Sequence, residues 1–174
     1  MNLTEILAYA NILTEDGFDS ISDAIHYFNE AQAIIAGVDP VKAEPMDYVL
    51  SDDTEIQLPD DLLSIKRATL DGIPFSFSTN PWNGNLQLGQ SLTGALRIWY
   101  TRLPAELLVT TLDQVPEVRE AYHRTIATYA AKMYHLVDDD PQLREAFRNE
   151  FEQSIALLKP PESGGFISNY YNFF

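Results

Sequence analysis

Proton transfer and metal binding would fall first to the histidines of this sequence, and there are three: His26, His123 and His135. Nucleophilic catalysis would need a serine or cysteine held beside one of them and an acid to orient the ring. The chain has no cysteine, and no histidine neighbours a G-x-S-x-G turn. Thiol nucleophiles, disulfides, Cys-ligated zinc and iron–sulfur clusters are excluded with the cysteines. His123 and His135 stand twelve residues apart on one expected helix. That is more than three turns, too far for them to share a metal ion. All three read as ordinary helix-surface or boundary histidines.

Acids come second. Asp138–Asp140 is the densest group, followed by Asp52-Asp53 and Asp60-Asp61. A calcium loop needs alternating ligands, a glycine in its sharp turn and a bidentate glutamate. "VDDDPQLRE" lacks the glycine and runs straight into a helical pattern, so its acids read as an N-cap favoured by the helix dipole. Chance carboxylate pairs leave a carboxylate- or metal-dependent hydrolase as an alternative. Neither "SGGF" nor "NGNLQLGQ" fits a phosphate-loop pattern. No catalytic, cofactor or metal residue is singled out. Arg97 and Arg102 flank Trp99 and Tyr100, which suits either a base-stacking platform or a strand whose arginines pair with nearby acids.

The elements that must position these residues fall into three blocks. "NLTEILAYANIL" puts Leu3, Ile6, Leu7, Ala10 and Leu13 on one helical face, with Asn2 and Glu5 as a capping box. A second helix follows from about Ser20 and should end at Gly37 and Pro40. The short link suggests an antiparallel helical hairpin. The middle, residues 45–103, changes period. "DYVL", "TEIQL", "LLSIKRATL", "IPFSFS" and "GALRIWYTRL" read as short strands, with Asp71-Gly72 as a hairpin turn. Leu96, Ile98 and Tyr100 alternate with Arg97, Trp99 and Thr101, so Trp99 needs cover on a second face. Helices then return, one starting near Pro116 and one capped by Asp140 with Pro141 first. The expected fold is α+β and mainly helical. It has two N-terminal helices, a small antiparallel β subdomain, two C-terminal helices packed as a bundle, and an extended C-terminal tail. Residues 1–159 form a single domain in this reading, and residues 160–174 the tail.

The 174 residues carry a net charge of −15, with 45% hydrophobic and 21% charged residues, the balance of a folded globular chain. Residues 1–65 hold fourteen acids and one base (Lys42), a net of −13, and residues 66–174 hold twelve acids and ten bases, a net of −2. Such a surface repels a nucleic-acid backbone, which binds through basic groups, and it would attract a basic partner. No secretory signal or membrane span is expected, because "MNLTEILAYANIL" lacks a basic start and no apolar run is long enough.

Five of the last nine residues are aromatic: Phe166, Tyr170, Tyr171, Phe173 and Phe174. They follow Pro160-Pro161 and Gly164-Gly165, and no charged side chain comes after Glu162. Such a segment gains by burial only against a surface that is already formed. With Ile167 these residues are the candidate docking residues.

Several phrases resemble tailed-phage head–tail adaptor (connector) proteins. "IQLPDDLLSIKRATLDGIPF" supplies Leu58, Pro59, Asp61, Ile65, Lys66, Arg67, Asp71 and Gly72. "LRIWYTRLPAEL" supplies Trp99, Tyr100, Arg102, Leu103, Pro104 and Glu106. "VPEVREAYHRTIATYAAKMYHLVDDDPQLREAFRNEFEQSIALL" is similar to the family's closing helix pair. The likeness spans about residues 3–158, and the tail after Pro161 lies outside it. The resemblance implies a non-enzymatic virion protein of the neck, made in the bacterial host cytoplasm. It implies a ring of about twelve copies beneath the portal protein, extending the DNA exit channel and docking a tail-side stopper or tail terminator. Double-stranded DNA would pass through without sequence-specific binding, and no membrane is involved. The other reading of the residues is a cytoplasmic protein–protein interaction domain whose aromatic tail docks on its own core.

Overall fold

The computed structural model describes residues 1–15, 17–76, 84–137 and 140–159. They divide into two compact units. One is helical, formed by Met1–Pro40 and the described residues from Pro104 to Lys159; the other is the sheet unit, Val41–Leu103.

In the helical unit, α1 (Leu3–Leu13) starts on the predicted box. The Asn2 side chain accepts the Glu5 amide and the Glu5 carboxylate accepts the Asn2 amide, both at 2.9 Å. α2 (Ile21–Val38) is capped by Ser20. It passes through Gly37, which is not in left-handed backbone, and ends at Asp39, immediately before Pro40. α3 (His123–Val137) begins seven residues after Pro116, preceded by a single 3-10 turn at Glu120–Tyr122. α4 (Pro141–Leu158) is capped by Asp140, whose carboxylate accepts the amides of Gln142 and Leu143 at 3.0 Å. α1, α2 and α4 each pack against α3, so α1 and α2 meet α3 more closely than each other. The fully buried Ala127, Ala130 and Ala131 of α3 leave room for that approach. Leu3, Ile6, Phe28, Ile35, Tyr122, Ile126 and Phe151 fill the core between them.

The sheet unit comprises β1 (Val41–Lys42), β2 (Met46–Gln57), β3 (Leu62–Leu70), β4 (Ile73–Phe75) and β5 (Asn85–Arg102). Every pairing is antiparallel, in the order β1-β5-β3-β4, with β2 also on β5. β5 is therefore the spine. Its even-numbered Leu86, Leu88, Leu92, Leu96 and Ile98 face a core shared with Leu50, Ile56, Leu58 and Ala68. Register shifts in β2 around Asp52, at φ 66°, bend that strand, as bulges do, and the sheet curls. Asp71 and Gly72 both have positive φ, 50° and 80°, which is the backbone of a tight β3–β4 hairpin.

The expectation of a mainly helical fold, with a small β subdomain and two C-terminal helices packed as a bundle, does not hold. The described residues hold five strands as well as four helices, and β5 at 18 residues is as long as α2 or α4. α3 and α4 are not a bundle of their own, because α3 is shared among three neighbours and α4 buries only Phe151. Two features of the sequence conceal the strand content. Gly89, Gln90 and Ser91 interrupt the apolar alternation of β5 and look like a turn. "DYVL" and "TEIQL" look like two strands because the bulge at Asp52-Asp53 divides one.

Gly94 provides a test of the sheet. It lies at φ 137°, and an added Cβ would stand 2.5 Å from Asp71 Oδ2. The carboxylate is held in place, since Asp71 Oδ1 accepts the Ala95 amide and the Asp71 amide donates to the Ala95 carbonyl, both at 2.8 Å. Gly94→Ala is expected to destabilise the chain by about 1–3 kcal/mol. The double variant with Asp71→Ala should lose less than the sum of the singles, as denaturant unfolding would show.

Candidate functional site

The odd-numbered residues of β5 form the second face of the sheet. Register places Asp47 beside Arg97 and Arg67 beside Trp99. Arg97 donates from Nε and Nη2 to the two Asp47 oxygens at 2.6 and 2.7 Å. This bidentate bond holds the Asp47 carboxyl below its usual range and raises the Arg97 guanidinium. The Trp99 ring has Arg67 Cζ at 4.8 Å from its centroid and Arg97 Cζ at 5.9 Å, each within cation–π range. The cover that Trp99 needs is therefore cationic. Arg102 stands 3.8 Å from Asp61. Of the two readings of this strand, the structure shows arginines paired with acids and a ring already engaged by guanidinium groups. Val49 on the same face is 90% exposed, opposite Ala95.

Residues 103–119 connect β5 to the helices without a helix or strand. Connections of this length in folded domains are commonly functional. This one is tied down by side chains. Asn29 of α2 accepts the Leu107 amide at 2.8 Å and donates to the Leu107 carbonyl at 3.1 Å. Gln114 accepts the Leu108 amide and donates to the Glu106 carbonyl. Leu107 is buried, while Leu108, Val109, Leu112 and Val115 are exposed. In the sequence, the apolar residues of this segment have neither helical nor strand period, and only the phrase holding Leu103, Pro104 and Glu106 marks it.

The histidines are dispersed. His26 is exposed and 3.3 Å from Glu30. His135 is buried, stacked on Phe147 with ring centroids 5.5 Å apart, and among the described residues neither ring nitrogen has a hydrogen-bond partner. His123 is buried, with Nε2 3.1 Å from the Val118 carbonyl and Nδ1 2.9 Å from the Met1 amino nitrogen. Burial pushes its pKa below the ordinary 6.5. A histidine harder to protonate when folded stabilises the native state above its unfolded pKa. That stability is lost as pH falls below about 6.5 towards the folded value. The melting temperature is therefore expected to fall on acidification from pH 7.5 to below 6, and His123→Gln should flatten that dependence in a thermal scan across pH.

The acidic runs do different things. Asp140 caps α4, whereas Asp138 and Asp139 lie outside the described residues. Asp52 accepts from Ser91, Asp53 from the Ser51 amide, and Asp61 meets Arg102. Among the described residues no three acids or histidines converge as metal ligands would. A shallow groove in the helical unit is lined by Phe18, Asp19, Asp23, Tyr27, Tyr134 and Val137, with Phe18 edge-on to Tyr134 at 5.4 Å. Among the described residues no helix is long and apolar enough to cross a membrane. The candidate docking residues Phe166, Ile167, Tyr170, Tyr171, Phe173 and Phe174 lie outside the described residues.

A sheet face with exposed aromatic, cationic and aliphatic side chains, an anchored loop and a groove are features found at protein-binding surfaces. The chain matches the family model for the SU10 adaptor protein over residues 1–165, and it belongs to that family. This agrees with the resemblance to phage head–tail adaptors and makes the chain an adaptor of the phage particle. No curated protein matches it.

Proposed function

We propose that the protein forms a ring beneath the portal of a tailed phage, joins capsid to tail and extends the channel through which DNA leaves. The family match over residues 1–165 carries the reading. The charge distribution supports it: a wall with a strong excess of acids repels phosphate, so DNA passes without being gripped. The ring has about twelve copies, the portal protein lies on its head side, and a stopper or tail terminator lies on its tail side. The whole chain acts as one adaptor unit, with residues 160–174 as its docking tail, and the six candidate tail residues grip the portal. Electron microscopy of the purified chain, alone and mixed with portal rings, tests this. Added density on the portal is the expected result, and a chain that never adds to portal rings would sink the reading.

A further inference from the structure

Charges are unevenly matched on this protein. Arg97, Arg102, Arg119 and Arg148 each have an acid within ion-pair distance. Lys66 and Arg67 are adjacent and exposed, and neither has an acid partner among the described residues. Arg67 rests instead on Trp99, and Arg97 is near the same ring. With Arg97 held by Asp47, Lys66 and Arg67 leave a cationic spot beside an aromatic ring in a chain of net charge −15. The helical unit carries the complement. Asp19 and Asp23 line the Phe18–Tyr27–Tyr134 groove, both are exposed, and neither has a basic partner among the described residues.

We propose that these two surfaces meet between copies of the chain, with the Lys66–Arg67 pair entering the acidic aromatic groove of a second copy. Overall charge keeps two copies apart, because residues 1–65 alone carry a net of −13. Lys66 and Arg67 give that acid-rich segment of another copy a place where it is attracted rather than repelled. The groove also suits a guanidinium: carboxylates accept its N–H groups and aromatic faces take its plane. The contact joins two different patches, so each copy keeps one of each free and the association can propagate and close. The proposal rests on the ring reading and names the lateral contact within it.

Sedimentation velocity of the full chain without portal, at low and high salt, tests it. The wild type should self-associate, and less so as salt screens the contact. Arg67→Glu and Asp23→Lys should each weaken association about tenfold or more. Lys66→Glu and Asp19→Lys repeat the test without touching the Arg67–Trp99 packing, and circular dichroism checks folding. An equimolar mixture of Arg67→Glu and Asp23→Lys should recover a mixed pair. A wild type that stays monomeric at low salt, variants that associate like wild type, or a mixture that recovers nothing overturns the proposal. Portal attachment is scored separately: a chain that joins portal rings while failing these tests loses only the assignment of surfaces.

Discussion

Removal of residues 162–174 is expected to abolish attachment to portal rings while both units stay folded. The cores described above are built from residues up to Leu158. The removed segment brings five aromatic residues and, beyond Glu162, no charged side chain. An aromatic side chain can bury about 150–250 Å², so the segment has a large apolar area to offer. Ordering it costs about 1–2 kcal/mol per residue in backbone freedom alone. Most of the gain is therefore consumed unless the receiving surface is rigid and already formed, which is the condition an assembled portal ring meets. Aromatic anchors of this kind concentrate binding energy in a few residues, so their loss should remove attachment rather than weaken it slightly. Co-sedimentation with portal rings and far-UV circular dichroism together make the measurement. A truncated chain that folds and still attaches would refute the docking role.

Phe28→Ala is the second large effect. Phe28 is fully buried in α2, within a face that also buries Ala24, Ile25, Ala31, Gln32 and Ile35. Its ring belongs to the same core as Tyr122 and Ile126. Truncation removes both the transferred apolar surface and its packing partners, at about 3–5 kcal/mol. Natural domains hold only about 5–15 kcal/mol in total, so the variant should be left marginal at room temperature. Urea denaturation followed by far-UV circular dichroism, which the helices dominate, reads the change. A loss under about 1 kcal/mol would mean that the core repacks around the gap or was not closed there. The effect differs in kind from the tail deletion: one empties a core that the chain forms with itself, and the other removes a segment whose proposed partner is another protein.

Several features were legible in the sequence because their cause is local. The Asn2–Glu5 box, the Asp140–Pro141 start and the Asp71-Gly72 turn each depend on residues within a few positions of one another, and each is present. The alternation of Leu96 and Ile98 with Arg97 and Trp99 likewise marked the two faces of β5. Other local signals misled because tertiary context outweighed them. Gly37 stays helical, and α2 ends instead at Asp39, whose carboxylate pairs with Arg119 eighty residues later. Pro116 does not open α3, because the segment around it is held elsewhere: the Glu117 carboxylate accepts the Ala105 amide at 2.7 Å.

The resemblance of ordered phrases likewise points to the adaptor family, since such phrases record which residues follow which. Sequence by itself therefore determined where most elements start and turn, which faces are apolar, how acidic the first 65 residues are, and the family. Only the tertiary structure decided who meets whom. Arg97 finds its carboxylate at Asp47, fifty residues earlier, and Asn29 clamps a loop seventy-eight residues later. No spacing rule reaches that far. These partners are set by sheet register and helix packing, which are chosen to bury Leu96, Ile98, Phe28 and Tyr122. A slip of one residue along β5 would send Arg97 and Trp99 into the core and bring Leu96 and Ile98 out. Burial thus selects the register, and the register then places Arg67 and Trp99 together.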